Sequence, residues 1–161
     1  MEIIKKYKPA VIIVLVLASV FFFFNRLYHN DVTALTDFSA SYEKFDKAIS
    51  DFSVPVFASN LEGAPATDDL ERKADEALRE LNTKASARIS SLIKNDAELM
   101  STELEIANFS LKELDTLSAY KTAMWGKRDA DVDRLAKEYA DLMNKRKTAY
   151  AHFQELARLK N

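Results

Sequence analysis

Apolar residues follow three different patterns along this chain. The first is an unbroken run: Ala10 to Phe24 contains no charge and a single polar residue, Ser19. With its flanks the run covers 20 positions, 9–28, and a membrane-spanning helix needs about 20 residues. Because the run has no polar face, it does not suit the core of a water-soluble domain. The sequence therefore predicts an N-terminal transmembrane helix over 9–28.

Basic residues at the two ends of this run predict its orientation. Lys5, Lys6 and Lys8 precede it, whereas Arg26 alone lies at its other end. Basic residues stay on the cytoplasmic side, so we expect 1–8 in the cytoplasm and 30–161 outside, in the periplasm of a Gram-negative bacterium. A cleaved signal peptide is the alternative, but it would need small residues after the run, which ends in Phe-Phe-Phe-Phe-Asn-Arg.

The second pattern starts at Leu35 and alternates steps of three and four residues, which is typical of one amphipathic helix. Pro55 is expected to end this helix at about Ser53. The stripe is most simply a core, although its aromatic residues could also surround a small ligand. The apolar positions are Leu35, Phe38, Tyr42, Phe45, Ile49, Phe52 and Val56. Residues 54–66 hold two of the three prolines and one of the two glycines, and predict a linker.

The third pattern has a mean step of 3.6 residues and follows Thr67, a candidate helix cap. Its apolar positions are Leu70, Ala74, Leu78, Leu81, Ala85, Ile89, Ile93, Ala97, Met100, Leu104, Ala107, Leu111, Leu114, Leu117, Tyr120 and Met124. This pattern fits either one helix over 67–124 or two helices. Asn95 with Glu98 is a capping-box pattern, which favours a break near Lys94, Asn95 and Asp96.

Gly126 precedes a last helix, predicted from Asp129 almost to Asn161. Four helices of similar length joined by short loops predict an all-α protein, an up-down-up-down four-helix bundle behind the transmembrane helix. The alternative is an elongated rod built on one long 67–124 helix. The low content of glycine, two residues in 161, argues against β folds and phosphate-binding α/β folds.

Candidate chemistry is sparse. The chain has no cysteine and two histidines, His29 and His152, neither of them in a Glu-x-x-His arrangement. Acidic and basic residues alternate as on solvated helix faces, and the net charge is −2. We therefore predict no metal site, no cofactor, no nucleic-acid partner and no enzymatic activity.

Two features are candidate contacts. Trp125, the only tryptophan, lies beside Gly126 at a predicted helix end, and such tryptophans often contact protein partners. The last helix is acidic first and basic later, with five bases and one acid in 143–161. This pattern complements the helix dipole and could also contact an anionic lipid surface. The basic residues are Lys145, Arg146, Lys147, Arg158 and Lys160.

Together these features predict a single-span membrane protein whose helical domain is a non-enzymatic scaffold or accessory subunit for another envelope protein. A ligand-sensing bundle and a mechanical envelope-spanning rod are the alternatives. The sequence leaves the identity of the partner and a homo-oligomeric state open.

Overall fold

The computed structural model describes the backbone of residues 2–58, 64–87, 97–126 and 129–158, and side chains within 17–22, 32–58, 67–86, 97–126 and 131–158. Over these ranges the protein is all-α. Its helices are α1 (Glu2–Ala58), α2 (Ala64–Ala87), α3 (Ala97–Trp125) and α4 (Asp129–Arg158). Contacts divide the chain into two units, Met1–Thr36 and Asp37–Asn161.

The first unit is helical from Glu2 onward. The side chains of 17–22 are all exposed, among them Leu17, Val20, Phe21 and Phe22. The other side chains of the predicted span, 9–16 and 23–28, lie outside the described residues. Among the described residues, no helix is both long enough and apolar enough to cross a membrane.

The second unit is a helical bundle, and six of the seven apolar positions predicted for α1 form its core face; the seventh, Leu35, is half-buried and belongs to the first unit. These six core positions are at most 5% exposed: Phe38, Tyr42, Phe45, Ile49, Phe52 and Val56. The predicted end of this helix is wrong, because α1 continues through Pro55 to Ala58. Proline has no N–H to donate to the carbonyl four residues back, yet Val56, the next residue, is 3% exposed and packs in the core. The Phe57 ring centroid lies 4.6 Å from that of Tyr120 in α3.

The second helix starts three residues before the predicted cap, at Ala64 rather than Thr67. Pro65 is accommodated in the first turn, where a backbone N–H has no intrahelical acceptor. Residues 59–63 of the predicted linker and the predicted break near Lys94 lie outside the described residues.

Contacts between helices show that neighbours run in opposite directions. Asp37 and Lys44 of α1 pair with Lys84 and Glu80 of α2 in reverse order. Ser39 contacts Tyr150 of α4, whereas Phe57 contacts Tyr139. Glu113 of α3 likewise pairs with Arg146 of α4, and Glu98, earlier in α3, lies 3.4 Å from His152, later in α4.

The alternative of one long 67–124 helix is wrong. Lys121, near the end of α3, forms ion pairs with Asp68 and Glu71 near the start of α2. In a straight helix a separation of 53 residues would place Lys121 about 80 Å from Asp68. The chain therefore reverses between α2 and α3.

The predicted core face of α3 is partly wrong. Leu104 is 42% and Leu111 is 43% exposed, whereas Glu103, Ser110 and Glu113 are fully buried. The buried residues keep a heptad spacing: Leu99, Glu103, Ile106, Ser110, Glu113, Leu117 and Tyr120. The Ser110 hydroxyl donates a 2.8 Å hydrogen bond to the Ile106 carbonyl, so its burial leaves no unsatisfied hydroxyl.

Candidate functional site

The most unusual feature of the bundle is a buried guanidinium. Arg146 of α4 is 1% exposed and occupies the core position between Leu142 and Tyr150. Its Nε donates to Glu113 Oε2 of α3 at 2.5 Å, and its Nη2 donates to Asp46 Oδ1 of α1 at 2.7 Å. One side chain thus connects three helices.

The two carboxylates of this cluster have different environments. Glu113 has a fully buried side chain, whereas that of Asp46 is 43% exposed. Burial raises the pKa of the Glu113 carboxyl above its usual value, and the attraction of Arg146 opposes that rise. Although burial opposes the charge on Arg146, the Glu113 carboxylate raises the pKa of the guanidinium, which stays protonated. A buried ion pair of this kind does little for stability, but losing one member is costly.

Aromatic rings enclose the guanidinium on the α1 side. Its central carbon lies 5.1 Å from the Tyr42 ring centroid and 5.3 Å from that of Phe45. Tyr42 stacks on Tyr150 with ring centroids 3.5 Å apart, and the Tyr150 hydroxyl is 2.6 Å from Ser39 Oγ. Burial raises the pKa of Tyr42 to about 12, against the opposing effect of Arg146.

A second buried cation lies near the end of α3. The Lys121 side chain is 7% exposed, and it pairs with Glu71 at 2.6 Å and with Asp68. Its ammonium lies 4.9 Å from the Trp125 ring centroid and 5.7 Å from that of Phe52. Burial disfavours its charge, yet the hydrogen bonds that Lys121 donates to Asp68 and Glu71 raise the pKa of its ammonium above the usual value.

The structure separates the predicted anionic-surface residues. Lys145, Lys147 and Arg158 are exposed, and Lys160 lies outside the described residues. Assigning Arg146 to this surface was wrong, because its guanidinium is buried between α1, α3 and α4. Trp125, the predicted partner contact, is half-buried, and its ring forms a cation–π contact with the Lys121 ammonium.

The aromatic stripe of α1 is packed against other rings. Phe38 and Phe153 of α4 have ring centroids 5.0 Å apart, and Tyr42 is covered by Tyr150. Two surface clefts lie elsewhere. One, of about 280 Å³, lies between α1 and α2 and is lined by Lys44, Lys47, Ala48, Asp51, Leu70, Lys73, Glu76 and Ala77. The other, of about 550 Å³, lies between α3 and α4 and is lined by Glu105, Phe109, Asn144, Lys145, Thr148, Ala149 and His152.

The described side chains contain no group of three or more histidine, aspartate or glutamate residues able to hold a metal ion. The buried charges of the Arg146 cluster contact one another and aromatic rings. Such an arrangement can fix the relative positions of helices.

Sequence reasoning missed the Arg146 cluster, although one signal was present. The apolar stripe of α4 steps from Leu142 to Tyr150, a gap of eight residues, and Arg146 stands at the omitted core position. A charged residue at such a position requires a buried partner of opposite charge. The burial of Glu113 was not predicted because Leu111 and Leu114 already continued the apolar stripe of α3 without it.

Comparison with known proteins adds no family: no protein-family model matches this chain, and curated proteins and solved structures give no significant match. What the protein does must therefore be inferred from its own residues.

Proposed function

We propose that this chain is a single-span membrane protein whose helical domain is a non-enzymatic scaffold or accessory subunit for another envelope protein. The observation that carries the membrane attachment is the exposure of 17–22, where Leu17 is 62%, Phe21 70% and Phe22 73% exposed. Consecutive helical residues are about 100° apart, so six of them surround the helix. Five of these six side chains are apolar, the exception being Ser19, and so apolar a helix surface favours lipid as the surrounding medium.

The proposed scaffold role is supported by the helix arrangement and the buried ion pairs of the bundle. Antiparallel contacts between successive helices support an up-down-up-down four-helix arrangement for Asp37–Asn161. Within its buried core, Arg146 is paired with Glu113 and Asp46. A bundle with such a core suits a rigid binding module better than a reaction centre.

Trp125 remains our candidate for the partner contact, and the exposed bases of α4 for contact with anionic lipid. A half-buried tryptophan whose ring is fixed by Lys121 at 4.9 Å presents a large, preorganised apolar surface. Lys145, Lys147, Arg158 and Lys160 are the lipid candidates once Arg146 is removed from the set.

The membrane attachment is tested with a matched pair of variants. We expect the full wild-type chain to sediment with membranes, to require detergent for extraction and to keep its N-terminus by mass spectrometry. Phe21→Arg with Phe22→Arg should reduce insertion, since each central arginine costs about 2.5–3.5 kcal/mol. Val54→Arg with Leu111→Arg, at two apolar residues that are 64% and 43% exposed in the bundle, is the control and should leave sedimentation unchanged. A chain that begins near residue 30, or that needs no detergent, would refute the attachment.

The partner contact is tested by co-purification in mild detergent. A partner bound at fixed stoichiometry should be lost with Trp125→Ala and retained with Phe109→Ala, another half-buried aromatic residue of α3. Equal retention by both variants would exclude Trp125 as the contact.

A further inference from the structure

The outer face of α3 differs from the outer faces of α2 and α4. Among the described side chains, those exposed on α2 and α4 are mostly charged, and none of them is a large apolar one. On α3, in contrast, Leu104 is 42% and Leu111 is 43% exposed. A helix that is apolar on its outer side as well as toward the core is expected to be covered on both sides.

The exposed residues of α3 form two rows with the spacing of a heptad. Leu104 and Leu111 are seven residues apart, and Glu105 and Lys112 follow them by one position each. Because consecutive residues of a helix are about 100° apart, the leucine row and the charged row lie on the two edges of the exposed face. Asn108, also exposed, lies between the two rows.

The charges of this face are available for a contact outside the bundle. Glu105 and Lys112 form no ion pair with any side chain that the structure describes. Glu113, by comparison, is paired with Arg146. The charged row therefore offers an acid and a base, one heptad apart, to a partner with a base and an acid at the same spacing.

A second copy of α3 meets this requirement when it runs in the opposite direction. With a two-fold axis at Asn108, Glu105 faces the second copy's Lys112, and Lys112 faces its Glu105. Two-fold symmetry makes every contact occur twice, and in an antiparallel pair it brings the same edges of the two helices together. Leu104 therefore meets the second copy's Leu111 on the other edge. Each of these matches deviates by one residue, about 1.5 Å, from perfect symmetry about Asn108.

The match extends toward both ends of α3. Ser101 and Asp115 are each seven residues from Asn108, and Ala97 and Ala119 are each eleven residues from it. All four residues are exposed. In the antiparallel pair the Ser101 hydroxyl can donate to the second copy's Asp115 carboxylate, and the two alanines face each other. The self-complementary face then spans about 33 Å between Ala97 and Ala119.

A parallel pair through the same face would be unfavourable. Each residue would then lie at the height of its own copy, so that Asp115 would oppose a second Asp115. The edges would also be exchanged, and the leucine row would lie against the charged row. Charged residues that flank a helix pair set its orientation in this way in coiled coils.

We propose that α3 is a dimerisation helix, which pairs antiparallel with α3 of a second copy of this chain about a two-fold axis at Asn108. The interface belongs to Asp37–Asn161 and requires neither the membrane attachment nor another protein. Two chains inserted in one bilayer form this pair when the two-fold axis is perpendicular to the bilayer, so that α3 lies along its surface. A single pair of helices is a small interface, so the association is weak and depends on concentration.

Disulfide cross-linking of the full chain in mild detergent tests the geometry. The sequence contains no cysteine, so an introduced cysteine can react only with its copy. Asn108→Cys should give a cross-linked dimer, because the two sulfurs meet at the axis. Ala119→Cys alone is the control and should give none, because the two residues lie about 33 Å apart. Its mixture with Ala97→Cys should give the mixed dimer.

Charge variants test the contacts by sedimentation velocity over a series of concentrations. Glu105→Lys turns two attractive contacts of the dimer into two repulsive ones, and should raise the dissociation constant about tenfold. Lys112→Glu should have the same effect. The two substitutions together restore opposite charges at both contacts and should restore the wild-type dissociation constant. The controls, Glu43→Lys and Lys47→Glu, each made alone at an exposed position of α1, should leave it unchanged.

A chain that stays monomeric at every concentration would overturn the proposal. Equal cross-linking of Asn108→Cys and Ala119→Cys would also overturn it, because the helices would then be parallel. A folded double charge variant that remains as weak as the single variants would exclude the contact between Glu105 and Lys112, and with it the antiparallel geometry. If circular dichroism shows that a charge variant is unfolded, the cross-linking decides.

Discussion

Replacing Arg146 by methionine should be among the most destabilising single substitutions in the bundle. It removes the 2.5 Å bond from Nε to Glu113 and leaves a carboxylate with 0% exposure without its cation. Removing one member of a buried ion pair costs about 3–5 kcal/mol. Asp46 adds little to this cost, because its side chain is 43% exposed and can be hydrated.

Urea unfolding of the full chain in mild detergent, followed by circular dichroism, measures this cost. With a slope of about 2 kcal/mol per molar urea, a loss of about 4 kcal/mol lowers the midpoint by about 2 M. Lys145→Met is the matched control, because Lys145 forms an exposed 2.7 Å pair with Asp141 one turn away, and such pairs contribute about 0.3–0.5 kcal/mol. Arg146→Met combined with Glu113→Leu should recover most of the loss, since no charge is then buried alone.

The loss should also depend on pH in a defined direction. Burial already raises the pKa of Glu113 above its usual value, and removing the cation raises it further. The folded variant therefore binds a proton that the unfolded chain releases, so its stability falls as pH rises above the unfolded pKa of Glu113. The loss of unfolding free energy in Arg146→Met should therefore shrink as pH is lowered toward 4.5, the ordinary pKa of a glutamate carboxyl. Equal midpoints for Arg146→Met and Lys145→Met, or a deficit independent of pH, would refute the reasoning.

Three further outcomes follow from the same contacts. Phe45→Ala should cost about 3–5 kcal/mol of unfolding free energy without affecting binding of a partner; unchanged unfolding with lost binding would make the aromatic stripe a binding site. The pKa of Tyr42 is raised from 10.0 to about 12, so its neutral hydroxyl should contribute about 3 kcal/mol to the free energy of unfolding; this contribution is complete below pH 10 and is lost as pH rises through 12. A spectroscopic titration of tyrosinate should show one tyrosine that ionises near pH 12 in the wild type and is missing in Tyr42→Phe. Identical titration curves for the two proteins would exclude the raised pKa. Lys147→Gln with Arg158→Gln should weaken low-salt binding to anionic vesicles more than to neutral ones; equal binding to both vesicle types would remove the lipid contact.

The sequence was sufficient to identify the buried residues of a helix where polarity and periodicity agree. In α1 every third or fourth residue is apolar and the residues between are mostly polar or charged, so the buried positions from Phe38 to Val56 could be identified. Pro55 led to a wrong prediction of the end of α1. Proline disfavours the helical conformation of the residue before it, which is a local rule, whereas the packing of Phe57 against Tyr120 and Tyr139 is a tertiary contact that the rule does not consider.

In α3 periodicity and polarity conflict, and hydrophobicity alone selected a face that is only partly buried. Leu104 and Leu111 continued an apolar stripe, but the buried face of the helix carries Glu103 and Glu113. Burial of Glu113 depends on Arg146, which is 33 residues away in sequence, so no local pattern could reveal it. The eight-residue gap in α4 was the available signal, and it required asking which partner would compensate a buried cation.

The partners of α1 lie far along the chain, and this affects how the protein is made. Asp46 and Arg146 are separated by 100 residues, and Ser39 and Tyr150 by 111. Synthesis proceeds at about 5–20 residues per second, so the aromatic face of α1 waits about 5–20 seconds for α4 to emerge. During that interval Phe38, Phe45 and Phe52 have no α4 to cover them, whereas α3 and α4 are close in sequence and can pair as soon as both exist. We expect α1 to dock last although it is made first, and the nascent chain to depend on chaperones until its final helix is complete.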